Sequence, residues 1–190
     1  MSSENIKQAA LGLFASHGYD GTSLSQIAEQ VGMKKQSIYS HFKGKDELFL
    51  EIVDDTYQIE ITREKEYLND HFQESLQDCL RKSLRGYVDR YQFDNRLKFW
   101  LRVSFFPPAH LYEQLNQYIY NYIDTVDSFY LERFQHALKE GEMAISPETA
   151  SLAFSSLSDS IAVELVFGGE ERTERKLAAA WEVFWKGISK

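Results

Sequence analysis

The segment from residue 30 to residue 45 concentrates side chains that can bind nucleic acid. It holds four lysines and no acidic residue, and the nearest acids, Glu29 and Asp46, lie just outside it. The side chains that can donate hydrogen bonds to phosphates or base edges are Lys34, Lys35, Gln36, Ser37, Tyr39 and His41. The pattern favours DNA binding, and a solvated surface on a small helical subdomain is the alternative.

The apolar residues around these donors have helix-turn-helix spacing. Ala28 is small enough for two helices to cross closely, Gly32 follows four residues later at the turn, and Ile38 comes six residues after that. Ser23 and Gln26 have the spacing of a capping box, which predicts the start of the first of these two helices. Packing through Ile38 should leave the donors facing outward from the second helix.

Apolar residues recur at intervals of three and four along most of the chain, and no alternating run is long enough to propose a strand. Besides the two short helices, we predict helices over about residues 4–17, 45–69, 76–91, 95–105, 111–141, 147–168 and 170–188. Gly18 is expected to end the first helix in a left-handed conformation. The predicted fold is all-α, with an N-terminal three-helix helix-turn-helix domain (residues 1–46) joined by a long helix to a larger helical domain (residues 47–190).

Composition indicates a globular protein of a reducing compartment. Of 190 residues, 43% are hydrophobic, and the single Cys79 has no partner for an intrachain disulfide. No secretory signal is visible, and the most apolar run, residues 161–167, is interrupted by Glu164 and far shorter than the ~20 residues of a spanning helix. We expect a cytoplasmic protein with no membrane partner.

Residues 6–57 resemble the DNA-binding region of TetR-family transcriptional regulators. The matching positions are Phe14, Gly18-Tyr19, Thr22-Ser23, Ile27-Ala28, Gly32, Ile38-Tyr39, His41-Phe42-Lys43, Lys45 and Leu48. The resemblance implies a homodimer in which each subunit inserts its third helix into the major groove of one half of a palindromic operator. It also implies that a small molecule in the larger domain controls release, and repression is favoured over activation.

The resemblance assigns DNA contacts to ten residues: Thr22, Ser23, Lys34, Lys35, Gln36, Ser37, Tyr39, His41, Lys43 and Lys45. Lys35 and Gln36 are the expected sequence readers at the start of the recognition helix, and the other residues are expected near the phosphate backbone. Two alternatives stay open, namely core packing for Tyr39 and a solvated surface imidazole for His41.

The second half of the chain supplies the candidate ligand residues. Residues 91–134 hold 13 of the aromatic side chains, whose totals are Trp 3, Tyr 11 and Phe 13. Aromatic walls suit a flat or amphipathic ligand, so we predict contacts from Tyr91, Phe99, Trp100, Phe105, Tyr118, Tyr122 and Phe129. Filling of a core is the alternative for each. Arg96 and Arg102 could meet an anion, whereas Glu113, Asp124 and Asp127 could attract a cation.

The last two helices have apolar stripes that suit a dimer interface. The predicted interface residues are Phe154, Leu157, Ile161, Leu177, Trp181, Phe184 and Trp185. Two such helices from each subunit would form the four-helix interface that the resemblance implies. Internal packing is the alternative role for each residue.

Other functional classes find little support. The chain lacks GxSxG, HExxH, P-loop and CxxC patterns, so neither an enzyme nor a cofactor is predicted. His71, His110 and His136 lack metal-ligand spacing with each other and with Cys79. The remaining alternative is an all-helical adaptor for another protein, against which the donors of residues 30–45 argue.

The net charge differs between the N-terminal part of the chain, which contains the helix-turn-helix motif, and the remainder. The total is −8, yet residues 1–50 contain five basic and five acidic side chains. All of the negative charge therefore belongs to residues 51–190. We expect this acidic part to repel phosphates, which should weaken non-specific binding and favour approach through residues 30–45.

Overall fold

The computed structural model describes residues 2–189, and these form helices joined by short turns. The helices are α1 (Ser3–His17), α2 (Leu24–Gln30), α3 (Lys35–Ile38), α4 (Lys45–Asp70), α5 (Leu76–Tyr91), α6 (Asn95–Phe105), α7 (Tyr112–Lys139), α8 (Pro147–Phe167) and α9 (Glu170–Ile188). Residues 2–189 contain no strand, only an isolated antiparallel bridge between Met143 and Ser189. The predicted all-α fold is confirmed.

Local capping signals set several helix starts. Ser23 and Gln26 form the predicted reciprocal capping box at α2. Ser146 caps α8 by accepting a hydrogen bond from the Thr149 amide, and Pro147 follows it in the first turn. The bounds of α6 and α9 agree with the sequence prediction, and α6 is capped by the Asp94 side chain, whereas α9 begins after Gly169 with no side-chain cap.

Three local features differ from expectation. Gly18 has the expected positive φ of 73° but an extended ψ of −179°. A 3₁₀ turn, Ala109–Leu111, begins directly after Pro107-Pro108 and was not predicted. The recognition helix α3 has only four residues, after which the chain turns through Tyr39 to His41.

The chain divides into two compact units. Unit 1 comprises residues 1–60 and 94–120, and unit 2 comprises residues 61–93 and 121–190. The helix-turn-helix segment shares unit 1 with α6 and the first residues of α7. These units reflect packing, and the functional division after residue 46 stays a prediction.

Buried aromatic rings hold unit 1 together. Phe14 of α1, Phe49 of α4 and Phe99 of α6 are each at most 2% exposed. The Phe14 ring meets the Phe49 ring edge-on at 5.0 Å, and the Phe49 ring meets the Phe99 ring at 5.4 Å. In addition, Arg102 of α6 donates hydrogen bonds from Nε to the Ala15 carbonyl (3.0 Å) and from Nη2 to the Ser16 carbonyl (3.3 Å). These contacts fix α1 against α4 and α6.

Unit 2 has a separate core formed by α5, α7, α8 and α9. Its buried centre includes Leu80, Phe134, Phe154 and Ile161. Tyr130 joins it, with its ring 4.8 Å from that of Phe154. Large side chains from four helices therefore share one hydrophobic cluster.

Helix α8 is long and apolar enough to cross a membrane by length and composition. It has 21 residues, and an 18-residue window within it has a mean hydropathy of 1.4, with 39% of that window buried. Its buried residues belong to the core of unit 2, and the core helix of a soluble protein has the same properties.

Candidate nucleic-acid interface and ligand pocket

The helix-turn-helix has the packing that its spacing predicts. Ala28 of α2 and Ile38 of α3 are 2% and 0% exposed, so both side chains face the interior of the domain. Gly32 lies at the turn with φ +70°, a conformation that side-chain-bearing residues rarely adopt. The Met33 amide then donates to the Ala28 carbonyl at 2.9 Å. The turn orients α3 against α2.

The predicted donors at the start of α3 are exposed. Lys34, Lys35, Gln36 and Ser37 all face solvent. Within residues 2–189, the side chains of Lys34, Lys35 and Gln36 take part in no hydrogen bond or ion pair. Two ammonium groups and one amide are therefore available to an external partner with no internal contact to break.

Tyr39 and His41 follow α3 in the turn. Tyr39 is 52% exposed, which excludes the core-packing alternative for its ring. His41 is exposed with its ring 6.3 Å from that of Phe42, and this position fits either a phosphate contact or a solvated imidazole.

Thr22 and Ser23 serve the structure of the domain. The Thr22 side chain is buried, and its hydroxyl donates to the Gly18 carbonyl at 2.9 Å. Ser23 is exposed, but its hydroxyl is engaged with Gln26 in the capping box. A phosphate contact from the Thr22 hydroxyl would break its internal hydrogen bond.

Two lysines at the start of α4 have different environments. The side chain of Lys43 is 93% exposed and lies 3.5 Å from a Glu47 carboxylate oxygen. Lys45 is half-buried, and its Nζ donates to the carbonyls of Tyr19 (2.9 Å) and Thr22 (3.1 Å). The same Nζ lies 3.9 Å from the centre of the Tyr19 ring. Lys45 therefore anchors the turn before α2, whereas Lys43 is open to solvent.

A polar cluster surrounds the same turn. The Tyr19 hydroxyl donates to Asp46, and His110 Nε2 lies 3.3 Å from the other Asp46 carboxylate oxygen. The hydrogen bond from Tyr19, and then that from His110, lower the pKa of Asp46. Burial, followed by the hydrogen bond with Asp46, raises the pKa of Tyr19. Asp46 is thus held as a carboxylate that ties Tyr19 to the 3₁₀ turn.

We expect Lys45→Met to lower the free energy of unfolding of unit 1 by about 1.5–3 kcal/mol, because two carbonyls lose a charged donor. Lys43→Met removes the same charge from a solvent-exposed position and should leave stability nearly unchanged. Chemical denaturation followed by circular dichroism measures both. Equal stability of the two variants would contradict the anchoring role of Lys45.

A pocket opens between the helices of unit 2. It is lined by α4, α5, α7 and α8, and includes Glu64, Tyr87, Tyr122, Asp127, Tyr130, Phe154 and Asp159. The Tyr130 hydroxyl lies 2.5 Å from the Ser83 hydroxyl and donates to Glu64 at 3.1 Å. The pocket has a volume of about 110 Å³, which is below the ~300 Å³ of the smallest typical ligand sites. A large ligand must therefore displace side chains.

The predicted ligand residues are divided between the two units. Tyr122 lines the pocket, whereas Phe99 and Trp100 are buried in unit 1 and Tyr118 packs edge-on against Tyr57 in that unit. Phe105 is also in unit 1, and Tyr91 and Phe129 belong to unit 2 without lining this pocket. For Phe99, whose ring packs among other buried rings, the structure supports the core-filling alternative.

The predicted interface residues are also divided. Phe154, Leu157, Ile161, Leu177 and Phe184 are buried in the core of unit 2, which supports the internal-packing alternative for them. Trp181 and Trp185 are half-buried with their rings stacked at 5.8 Å. The large apolar residues that α8 and α9 leave exposed are instead Leu152, Val163, Phe167 and Val183.

Most residues that line the pocket differ from the predicted ligand residues. The predictions include only Tyr122 as a ligand contact and Asp127 as a possible partner of a cation. Tyr122, Val126 and Tyr130 recur every four residues on one face of α7, and all three line the pocket. That spacing could have identified this wall, but Glu64 and Asp159 carry no comparable local signal.

A helix-turn-helix with exposed donors is typical of DNA-binding regulators, and comparison with known proteins shows which family this segment resembles. Residues 6–52 match the family model described as bacterial regulatory proteins, tetR family. The biofilm operon icaADBC negative transcriptional regulator IcaR of Staphylococcus epidermidis is 29% identical over 102 residues, which cover 54% of this chain and 45% of that protein. The chain spans less than half the length of this curated relative.

Solved structures extend the likeness to the full chain. A TetR-family transcriptional regulator from Mesorhizobium loti has a TM-score of 0.75 and 25% identity, covering 99% of this chain and 96% of that one. SmeT, the repressor of the Stenotrophomonas maltophilia multidrug efflux pump SmeDEF, has a TM-score of 0.74 at 18% identity, covering 100% and 91%, and has also been solved with triclosan. The N-terminal segment therefore resembles the TetR family of transcriptional regulators, and the full chain shares the fold of a solved structure from that family.

Proposed function

We propose that the protein is a transcriptional repressor that binds a palindromic operator as a homodimer and is released from it by a hydrophobic or amphipathic small molecule. The observation that carries this proposal is the set of exposed donors Lys34, Lys35 and Gln36 on an ordered helix-turn-helix. Residues 1–46 supply DNA contacts and residues 47–190 supply ligand binding and dimerisation. The repressor works in the cytoplasm, where DNA and small metabolites are both accessible.

Release requires two dimer shapes with different affinities for DNA. In one shape, the two α3 helices lie roughly 34 Å apart and fit successive major grooves. The ligand prefers the other shape and thereby lowers operator affinity. A single helix, α4, contains both Lys45, which anchors the turn before α2, and Glu64, which lines the ligand pocket. A shift of this helix is the proposed connection between ligand and DNA.

The dimer forms through α8 and α9. Leu152, Phe167 and Val183 are 65%, 63% and 74% exposed on these helices. Exposed apolar residues on neighbouring helices favour burial against a second copy. The buried residues on the opposite faces hold both helices in the core of unit 2.

We expect Val183→Asp to dissociate the dimer, because the new carboxylate would be buried without a partner. Phe93→Asp is the control, since Phe93 is 85% exposed between α5 and α6. Sedimentation velocity should show a monomer for the first variant and a dimer for the second. A Val183→Asp dimer of unchanged stability would place the interface elsewhere.

Selection of binding sites from random duplex DNA, repeated at two salt concentrations, tests the proposed function. A palindromic sequence should be recovered, and affinity should fall steeply as salt increases. Recovery of no palindrome even at low salt would instead favour the adaptor alternative.

We expect Gln36→Ala to change which base is selected at one position of each half-site, because the amide can bond to two base atoms while Ala cannot. Affinity for the preferred operator should fall by about 1–3 kcal/mol, with the salt dependence retained. Repeating the selection with this variant measures both effects. An unchanged consensus would show that Gln36 does not read the sequence.

A further inference from the structure

The pocket of unit 2 has carboxylates on three of its walls and no basic side chain in its lining. Glu64 comes from α4, Asp127 from α7 and Asp159 from α8. We propose that this pocket binds an organic cation, an amine or quaternary ammonium compound with an apolar or aromatic body. The proposal specifies the ligand class of the pocket, and the role of that ligand as an effector rests on the proposed function.

Two acidic residues of α8, Glu164 and Asp159, differ in their internal partners. This difference indicates why the carboxylates of Asp159 and Asp127 would bind an external cation. Glu164 is buried and has internal partners, with Arg172 Nε 2.5 Å from its carboxylate and Lys176 also bonded to it. Asp159, five residues earlier, makes no ion pair within residues 2–189, and the same holds for Asp127. The fold thus neutralises Glu164 with two cations, whereas Asp127 and Asp159 have no cationic partner within residues 2–189.

Partial desolvation destabilises the charged forms of Asp127 and Asp159 when no cation is bound in the pocket. Burial is the main cause that raises the pKa of Asp127, and the charge of Asp124 adds to it. Partial burial, followed by the charge of Asp127, raises the pKa of Asp159, although that residue is exposed at the pocket opening. A bound cation would compensate both carboxylates, whereas an anion would increase the repulsion.

The remaining lining suits the body of such a ligand. Tyr87, Tyr122 and Phe154 bring aromatic rings to the pocket, and Leu84 and Val126 bring apolar surface. Aromatic faces attract cations through their quadrupole, most strongly where water is excluded. The available volume of about 110 Å³ fits a compact head group better than a large body. The body would extend through the open side.

The anionic alternative has no support in this pocket. Its candidate partners, Arg96 and Arg102, belong to unit 1 and do not line the pocket. Arg102 already donates to the carbonyls of Ala15 and Ser16.

Direct titration of the full-length protein without DNA tests this inference. The probes are benzyltrimethylammonium and benzylsulfonate, which share a benzyl body and carry opposite permanent charges. Isothermal titration calorimetry should show saturable binding of the cation and at least ~10-fold weaker binding of the anion. No saturable binding of the cation, or equal binding of the two probes, would overturn the proposal.

Substitution of the pocket carboxylates provides the second arm. The double variant Asp127→Asn/Asp159→Asn keeps side-chain size and should weaken cation binding by ~10-fold or more. Glu132→Gln is the matched control, because Glu132 lies on the same helix as Asp127, is exposed and does not line the pocket. Thermal melting checks that each variant is folded. Unchanged cation affinity in the folded double variant would refute the site, and failure of operator selection would refute only the proposed function.

Discussion

Replacement of Phe14 by alanine is expected to lower the free energy of unfolding by about 3–5 kcal/mol. The ring is 0% exposed and lies between the rings of Phe49 and Phe99, with centroids 5.0 Å and 6.3 Å away. Removing it leaves a cavity where α1, α4 and α6 meet, and backbone contacts such as those of Arg102 resist its collapse. The loss is comparable to the whole stability of a small domain.

Urea denaturation followed by circular dichroism measures this loss. Phe93→Ala is the matched control, because Phe93 is 85% exposed and its substitution should change stability by less than about 0.5 kcal/mol. Operator binding by Phe14→Ala should decrease in proportion to the unfolded fraction and recover on cooling towards the temperature of maximum stability. Similar stability of the two variants would mean that the aromatic cluster does not hold α1 in place.

The double substitution Lys34→Ala/Lys35→Ala is expected to have the largest effect on DNA binding. Both ammonium groups are exposed, so their removal breaks no hydrogen bond or ion pair within residues 2–189. Each phosphate contact contributes about 0.9 to the slope of log affinity against log salt. A homodimer that loses the Lys34 phosphate contact in each half-site should therefore show a slope smaller by roughly 2, and loss of the Lys35 base contacts should also relax the selected sequence.

Fluorescence anisotropy with a fixed operator and a scrambled duplex at several salt concentrations measures this effect. Lys65→Ala/Lys139→Ala is the control, since it removes two exposed lysines far along the chain from α3. The control should retain the wild-type slope. An equal change of slope in both variants would show that the effect comes from net charge and not from contacts made by α3.

Signals that act over a few residues were predictable from the sequence. The bounds of α6 and α9, the capping box of Ser23 and Gln26 and the positive φ of Gly18 all depend on neighbouring residues. The positions of Ala28, Gly32 and Ile38 likewise constrain the helix-turn-helix within one short segment. The donors of α3 face outward because Ile38 faces inward.

Roles that depend on distant partners were not predictable. Lys43 and Lys45 are the same residue type two positions apart, but only the ammonium group of Lys45 reaches the carbonyls of Tyr19 and Thr22. Phe99 and Tyr122 both belong to the aromatic-rich segment, and packing buries the first in unit 1 while it leaves the second at the pocket.

The sequence by itself determined the all-α fold, the helix-turn-helix and the exposed lysines and glutamine of α3, because periodicity, capping and turn geometry are local. Only the tertiary structure decided which acids share a pocket. Glu64, Asp127 and Asp159 lie on three different helices, and Glu164, unlike Asp159, is buried and paired with Arg172 and Lys176 of the next helix. Their function depends on contacts between residues distant in sequence, which no local pattern specifies.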